Sequence, residues 1–208
     1  MERAPTPTVV GRRRVIVAWG ALVAAGFAAL GAYQHRPGAI GAVPRLWPAG
    51  VESLRSDRGP TVLLFAHPRC PCTRATLEGL DRLVARAPEG PFRLVVVFFR
   101  PDGADEGTWR TDLVEHAERI PGAEVRTDAG GVLARRFGAR TSGQVVAYDE
   151  EGQLRFCGGL TPSRGHAGDC AGTDAILRLL RGADPQVPPA PVYGCDLLGA
   201  EANVEPAR

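Results

Sequence analysis

The stretch Thr61-Val62-Leu63-Leu64-Phe65-Ala66-His67-Pro68-Arg69-Cys70-Pro71-Cys72-Thr73-Arg74-Ala75-Thr76-Leu77 decides how the chain reads. An unbroken apolar run, as expected of a strand buried on both faces, stops at a proline-bounded turn. Leu77, Leu80, Val84 and Ala87 follow at helical spacing, which predicts a helix from about Cys70 to Ala87. The order is strand, turn, helix, with two cysteines at the helix N-terminus. Free N–H groups and the positive end of the helix dipole stabilise a thiolate there. Pro71 suits a first helical turn, where its missing N–H costs nothing. Arg69 and Arg74 flank the pair and are expected to favour the thiolate as well.

Working outward, Phe92 to Phe99 reads as a second buried strand and Thr108 to Ile120 as one amphipathic helix. Glu124 to Thr127 reads as a short strand and Val132 to Phe137 as a short helix. Gln144–Tyr148 and Leu154–Gly158 form a hairpin across Asp149-Glu150-Glu151-Gly152, and Thr173 opens a last helix to Arg181. Parallel units followed by a hairpin predict an α/β domain over 60–181. Residues 34–59 read as a linker with one short helix, Gly50 to Arg55. Residues 182–208 are rich in Pro and Ala and read as a loosely ordered tail, with Tyr193-Gly194-Cys195 able to dock on the domain.

The other end of the chain addresses location. Residues 1–14 close on Arg12-Arg13-Arg14, and 15–33 carry no charge. Nineteen helical residues span about 28 Å, close to a bilayer core of about 30 Å. Basic residues before the span keep the N-terminus cytoplasmic and send the rest across. The segment is read as an uncleaved anchor or a cleaved signal. Either way the cysteines are expected outside the cytoplasm, in an oxidising compartment. The net charge of +2 calls for no nucleic-acid partner.

Three motifs in order carry a resemblance. His-Pro-x-Cys-Pro-Cys-x-Arg spans 67–74, Phe-Gly-Ala-x-Thr-Ser-Gly spans 137–143, and Arg-Gly-His-x-Gly-Asp spans 164–169. Together they resemble the RedB-like branch of the thioredoxin-like superfamily over Pro60 to Arg181. The resemblance implies a central mixed sheet with flanking helices, and a thiol–disulfide oxidoreductase acting on a protein thiol or disulfide without a cofactor. Cys70 would be the nucleophile, as the more exposed cysteine, and Cys72 the resolving thiol. Thioredoxin-like proteins usually carry a cis-proline beside the cysteines. Here Ser142 or Gly143 stands in that place, and Thr141 and Ser142 are free to donate to a thiolate.

A Cys-Pro-Cys disulfide closes a small ring and is expected to be strained, hence oxidising. His67 is a candidate for tuning the thiolate. His166, in the glycine-rich loop 158–170, is a candidate proton carrier. The alternative reading is a copper-binding chaperone like the Sco-type proteins, with Cys70, Cys72 and His166 as ligands, although those proteins space their cysteines Cys-x-x-x-Cys. Cys157 and Cys170 bracket the loop and could form a structural disulfide. Cys195 is then left over, free or exchanging with the active pair.

Overall fold

A computed structural model describes residues 9–185 and 189–199. The chain divides into two units, Met1–Arg36 and Pro37–Arg208. The first contains helix α1, Val9–Gln34, of which Gly11–Gln34 is long and apolar enough to cross a membrane, with a mean hydropathy of 2.1. Val15, Trp19, Leu22 and Phe27 are all exposed, a pattern that a helix set in lipid would show and a buried core helix would not.

In the second unit a five-stranded sheet runs in the order β3-β2-β1-β4-β5. β1 (Thr61–Ala66) pairs in parallel with β2 (Arg93–Arg100), and β2 in parallel with β3 (Ala123–Ala129). On its other side β1 pairs antiparallel with β4 (Gln144–Tyr148), which turns back into β5 (Leu154–Gly158). β1 is therefore the centre of the sheet, and all six of its residues are buried. Their side chains alternate between two cores. Val62, Leu64 and Ala66 face α2 (Pro71–Arg86), α4 (Asp112–Arg119) and α6 (Ala171–Leu180), meeting Leu77, Leu80, Val114 and Ile176. Leu63 and Phe65 face α5 (Val132–Arg136) and meet Phe137, Tyr148 and Leu197. Each fully buried Val, Leu, Ile or Phe side chain among them contributes about 1.5–3 kcal/mol.

Three expectations need correction. The helix expected over 108–120 is two helices, α3 (Glu106–Trp109) and α4, because Thr111 between them is extended at φ −114°, ψ 171°. Its hydroxyl donates to the Pro68 carbonyl at 2.8 Å, tying the break to the cysteine turn. Much of 34–59, expected as a linker, is packed structure. The Trp47 ring lies edge-on to Phe137 and Tyr148, Tyr148 donates to the Pro44 carbonyl at 2.9 Å, and Val51 and Leu54 are buried about a single 3-10 turn, Glu52–Leu54. The third concerns the tail. The loose order expected of 182–208 does not hold for 189–199, whereas the docking expected of Tyr193-Gly194-Cys195 does: the segment is packed, with Val192 at 0% exposure and Leu197 at 1%. The Gly38 N–H donates to the Val192 carbonyl at 2.8 Å, so the two flanks of the expected domain are hydrogen-bonded to each other.

Candidate functional site

β1 ends at Ala66 and α2 begins at Pro71, so the four residues between them form the turn. Cys70 is the N-cap of α2, extended at φ −82°, ψ 120°, with Pro71 in the first helical turn. The Cys70 N–H donates to the His67 carbonyl at 3.1 Å and closes the turn. Ser142, 1% exposed, holds the turn from the opposite strand connection. Its oxygen accepts the His67 N–H at 2.8 Å and lies 2.9 Å from Thr73 Oγ1. Thr73 Oγ1 in turn donates to the His67 carbonyl at 3.1 Å, so the hydrogen between the two hydroxyls comes from Ser142. Ser142 is therefore a clamp on the turn. The Thr141 hydroxyl donates to the Ala39 carbonyl at 2.7 Å. Neither hydroxyl hydrogen is available to a thiolate, which corrects the expected role. The peptide bonds here are all trans, and Gly143, at φ 93°, donates its N–H to the Phe65 carbonyl at 2.8 Å.

Cys70 is not the exposed member of its pair: it is 1% exposed, while Cys72 is half-buried. A cleft of about 270 Å³ lies beside Cys70, between Arg69, Arg74, Thr111 and Leu113. Burial pushes the Cys70 thiol up. Hydrogen bonds from the Cys195 thiol and N–H and from the Cys72 and Thr73 N–H groups outweigh it and bring the thiol below its ordinary value. The helix end thus acts as expected, but the flanking arginines do not. Arg74 pairs with Asp112 at the surface, and Arg69 acts on His67 instead. His67 is pushed down by burial and then by Arg69. Its Nδ1 accepts the Arg69 N–H at 3.1 Å, and its ring stacks on Phe99 at 5.8 Å. Cys72 is pushed up by burial and by the charge of Cys70, opposed by the Gly165 N–H and by Arg164.

The 158–170 loop thus reaches the site through Arg164 and Gly165. His166 is exposed, and its Nδ1 lies 2.7 Å from the Arg164 carbonyl and 3.1 Å from Ser163 Oγ. Asp169 pairs with Arg86 at 2.8 Å. Among the described residues no group of three His, Cys, Asp or Glu side chains is placed to hold a metal ion, so Cys70, Cys72 and His166 do not fit the copper set. The expected structural disulfide is corrected too: Cys157 and Cys170 are both free. In β5, Phe156 faces the helical core containing α6, and its neighbour Cys157 packs against the other core. Cys170 caps α6, on the far side of the sheet.

What the sequence left open is Cys195. Its Sγ lies 3.0 Å from Cys70 Sγ, and its N–H is 3.4 Å from the same sulfur.

No family model matches the sequence, and no curated protein matches it. Solved structures do. An uncharacterized conserved protein from Geobacillus kaustophilus is 20% identical, with 83% of this chain and 94% of that one covered and a TM-score of 0.57. A hypothetical protein from Sinorhizobium meliloti 1021 is 21% identical, with 80% and 97% covered and a TM-score of 0.55. A secreted Mycobacterium tuberculosis disulfide oxidoreductase is 22% identical over 62% of this chain and 84% of its own, at a TM-score of 0.42. The fold is thioredoxin-like. The central strand delivers a cysteine turn to a helix N-terminus, and the antiparallel hairpin lies on one side of that strand with the parallel strands on the other.

Proposed function

We propose that the chain is an exported thiol–disulfide oxidoreductase of the RedB-like kind, held at the bacterial inner membrane by α1 with its thioredoxin-like unit in the periplasm. One observation carries the reading. The three separated motifs converge: Ser142 clamps the turn of Cys70, and Arg164 and Gly165 act on Cys72. At their meeting point lies a cysteine whose thiol is held below its ordinary value.

The Cys70 thiolate attacks one sulfur of a protein disulfide. A bond forms between Cys70 and that sulfur, the substrate's S–S bond breaks, and the other sulfur leaves as a thiolate that takes a proton. Cys72 then attacks Cys70 Sγ and releases the reduced substrate, with Arg164 and the Gly165 N–H favouring its thiolate. The scheme uses the cysteines alone; the copper alternative draws no support from the placement of Cys70, Cys72 and His166, which do not form a group of three set to hold a metal ion.

The test uses the full-length protein in detergent. Iodoacetamide labelling against pH, read peptide by peptide, is expected to place Cys70 below the free-thiol value of about 8.5. Cys70→Ser is expected to abolish disulfide exchange. A reduction-potential titration with and without added copper is expected to give one potential. Ordinary labelling of Cys70, with exchange surviving Cys70→Ser, would refute the proposal.

A further inference from the structure

The segment 189–199 comes to the site as a strand comes to a sheet edge. Thr141 and Asp196 form an antiparallel bridge. The Ser142 N–H donates to the Cys195 carbonyl at 2.9 Å, and the Leu197 N–H donates to the Arg140 carbonyl at 2.8 Å. Arg164 donates to the Gly194 carbonyl at 2.8 Å. Val192, Tyr193 and Leu197 are buried on either side of this contact. Gly194 fits because it lacks a Cβ, which would fall 1.8 Å from the Ser142 carbonyl oxygen. This much backbone pairing and burial fixes Cys195 in register. The register brings its sulfur to 3.0 Å from Cys70.

We propose that Cys195 is a resolving thiol for Cys70, delivered by the docked C-terminal segment, and that a Cys70–Cys195 disulfide is an oxidised form of the protein. The proposal rests on the oxidoreductase reading above and adds a third redox cysteine to it. A disulfide needs the sulfurs at about 2.05 Å, so closing this contact asks for a movement of about 1 Å. Cys195 is an exposed residue, and Cys70 is covered.

In the step, Cys70 is joined to a substrate sulfur in a mixed disulfide. Cys195 gives its proton to solvent and attacks Cys70 Sγ. The Cys70–Cys195 bond forms, the bond from Cys70 to substrate breaks, and the substrate leaves as a thiolate that is then protonated. Two protein thiols are oxidised and one substrate disulfide is reduced. Burial, then Cys70 and Cys72, push the resting Cys195 thiol up to about 12. In the mixed disulfide Cys70 carries no charge, so its share of that penalty disappears and Cys195 ionises more readily. Arg164 already acts in that direction. Reversal is chemically consistent: when the Cys70–Cys195 bond is broken by attack on the exposed Cys195 sulfur, Cys70 departs as the lower-pKa thiolate.

The test uses full-length protein carrying Cys72→Ser, treated with 5,5′-dithiobis(2-nitrobenzoate), then alkylated and mapped by mass spectrometry without reduction. The expected result is a linked Cys70–Cys195 peptide and near-complete loss of the aryl adduct from Cys70. In Cys72→Ser/Cys195→Ser the adduct is expected to stay on Cys70. If Cys72→Ser also retains the adduct on Cys70 while Cys195 alkylates freely, the Cys195 role is overturned and the oxidoreductase reading stands, because Cys70 has reacted. If Cys70 reacts in neither variant, both fall. The unsubstituted oxidised chain, whose folding is not in question, must contain the linked Cys70–Cys195 peptide as well, and its absence there overturns the role.

Discussion

Replacing Ser142 by Ala separates two accounts of the same hydroxyl. If it clamps the turn, as its contacts with His67 N–H and Thr73 Oγ1 indicate, the substitution removes two hydrogen bonds at a residue 1% exposed. A typical intramolecular hydrogen bond contributes about 1 kcal/mol net, and a buried donor left unpaired costs about 1–3 kcal/mol. The expected loss is therefore about 2–4 kcal/mol. For a domain of this size, about 2–4 °C of melting temperature goes with each kcal/mol, so the midpoint should fall by roughly 4–16 °C. Thr73→Val removes the same link from the other side, and the double variant should cost less than the sum of the two singles, as for groups sharing one interaction. The assay is thermal denaturation of the reduced full-length protein by circular dichroism, alongside the pH profile of Cys70 alkylation. A melting temperature unchanged within 1 °C or so, together with a Cys70 profile moved to higher pH, would refute the clamp and restore the role expected from sequence, in which the hydroxyl serves the thiolate.

Other outcomes follow from the charges around the site. Arg74→Ala should leave the Cys70 alkylation profile where it is, since Arg74 is spent on Asp112 at an exposed position; a rise in the Cys70 midpoint would show that its charge reaches the sulfur. His67 is depressed by burial and by Arg69, so the unfolded chain takes up this proton first on acidification. Its contribution to stability is present above the unfolded value of about 6.5 and is lost as pH falls through the folded value. Urea midpoints between pH 8 and 5 should fall, and His67→Gln should flatten that slope; an equal slope in both proteins would remove His67 as the cause. A periplasm-active reporter fused after Arg208 should be active and a cytoplasm-active one silent, and the reverse pattern would end the export argument.

The heart of the fold was legible because β1 and α2 obey short-range rules. An unbroken apolar run forces burial on both faces, and Leu77, Leu80 and Leu83 repeat with the helix. Thr111 was not legible: the apolar positions Trp109, Leu113, Ala117 and Ile120 keep helical spacing across it, and only its bond to Pro68 reveals the break. The site was half legible. Cys70 at a helix N-terminus can be read from neighbours in sequence, whereas the position of Cys195 depends on backbone pairing between residues about 55 apart in the chain, in a Pro- and Ala-rich segment with no periodicity of its own. Gly194 was the available signal, since a glycine permits close backbone approach. The Cys157–Cys170 pairing failed for a reason that strand alternation contains: within β5 adjacent residues point to opposite cores, so nearness in sequence says nothing of which side a thiol occupies.

The contact between Cys70 and Cys195 joins residues 125 apart, and that separation orders events in time. A chain made from its N-terminus presents Cys70 and Cys72 well before Cys195 exists to cover them. Contacts of such long range are also late to form, since the loop must close before they can be made. A nascent chain halted between Cys72 and Cys195 therefore carries an open pair, able to react with whatever disulfides surround it. The finished chain closes over the same sulfur with its own segment 189–199, so the maturity of the molecule is readable as the accessibility of one atom.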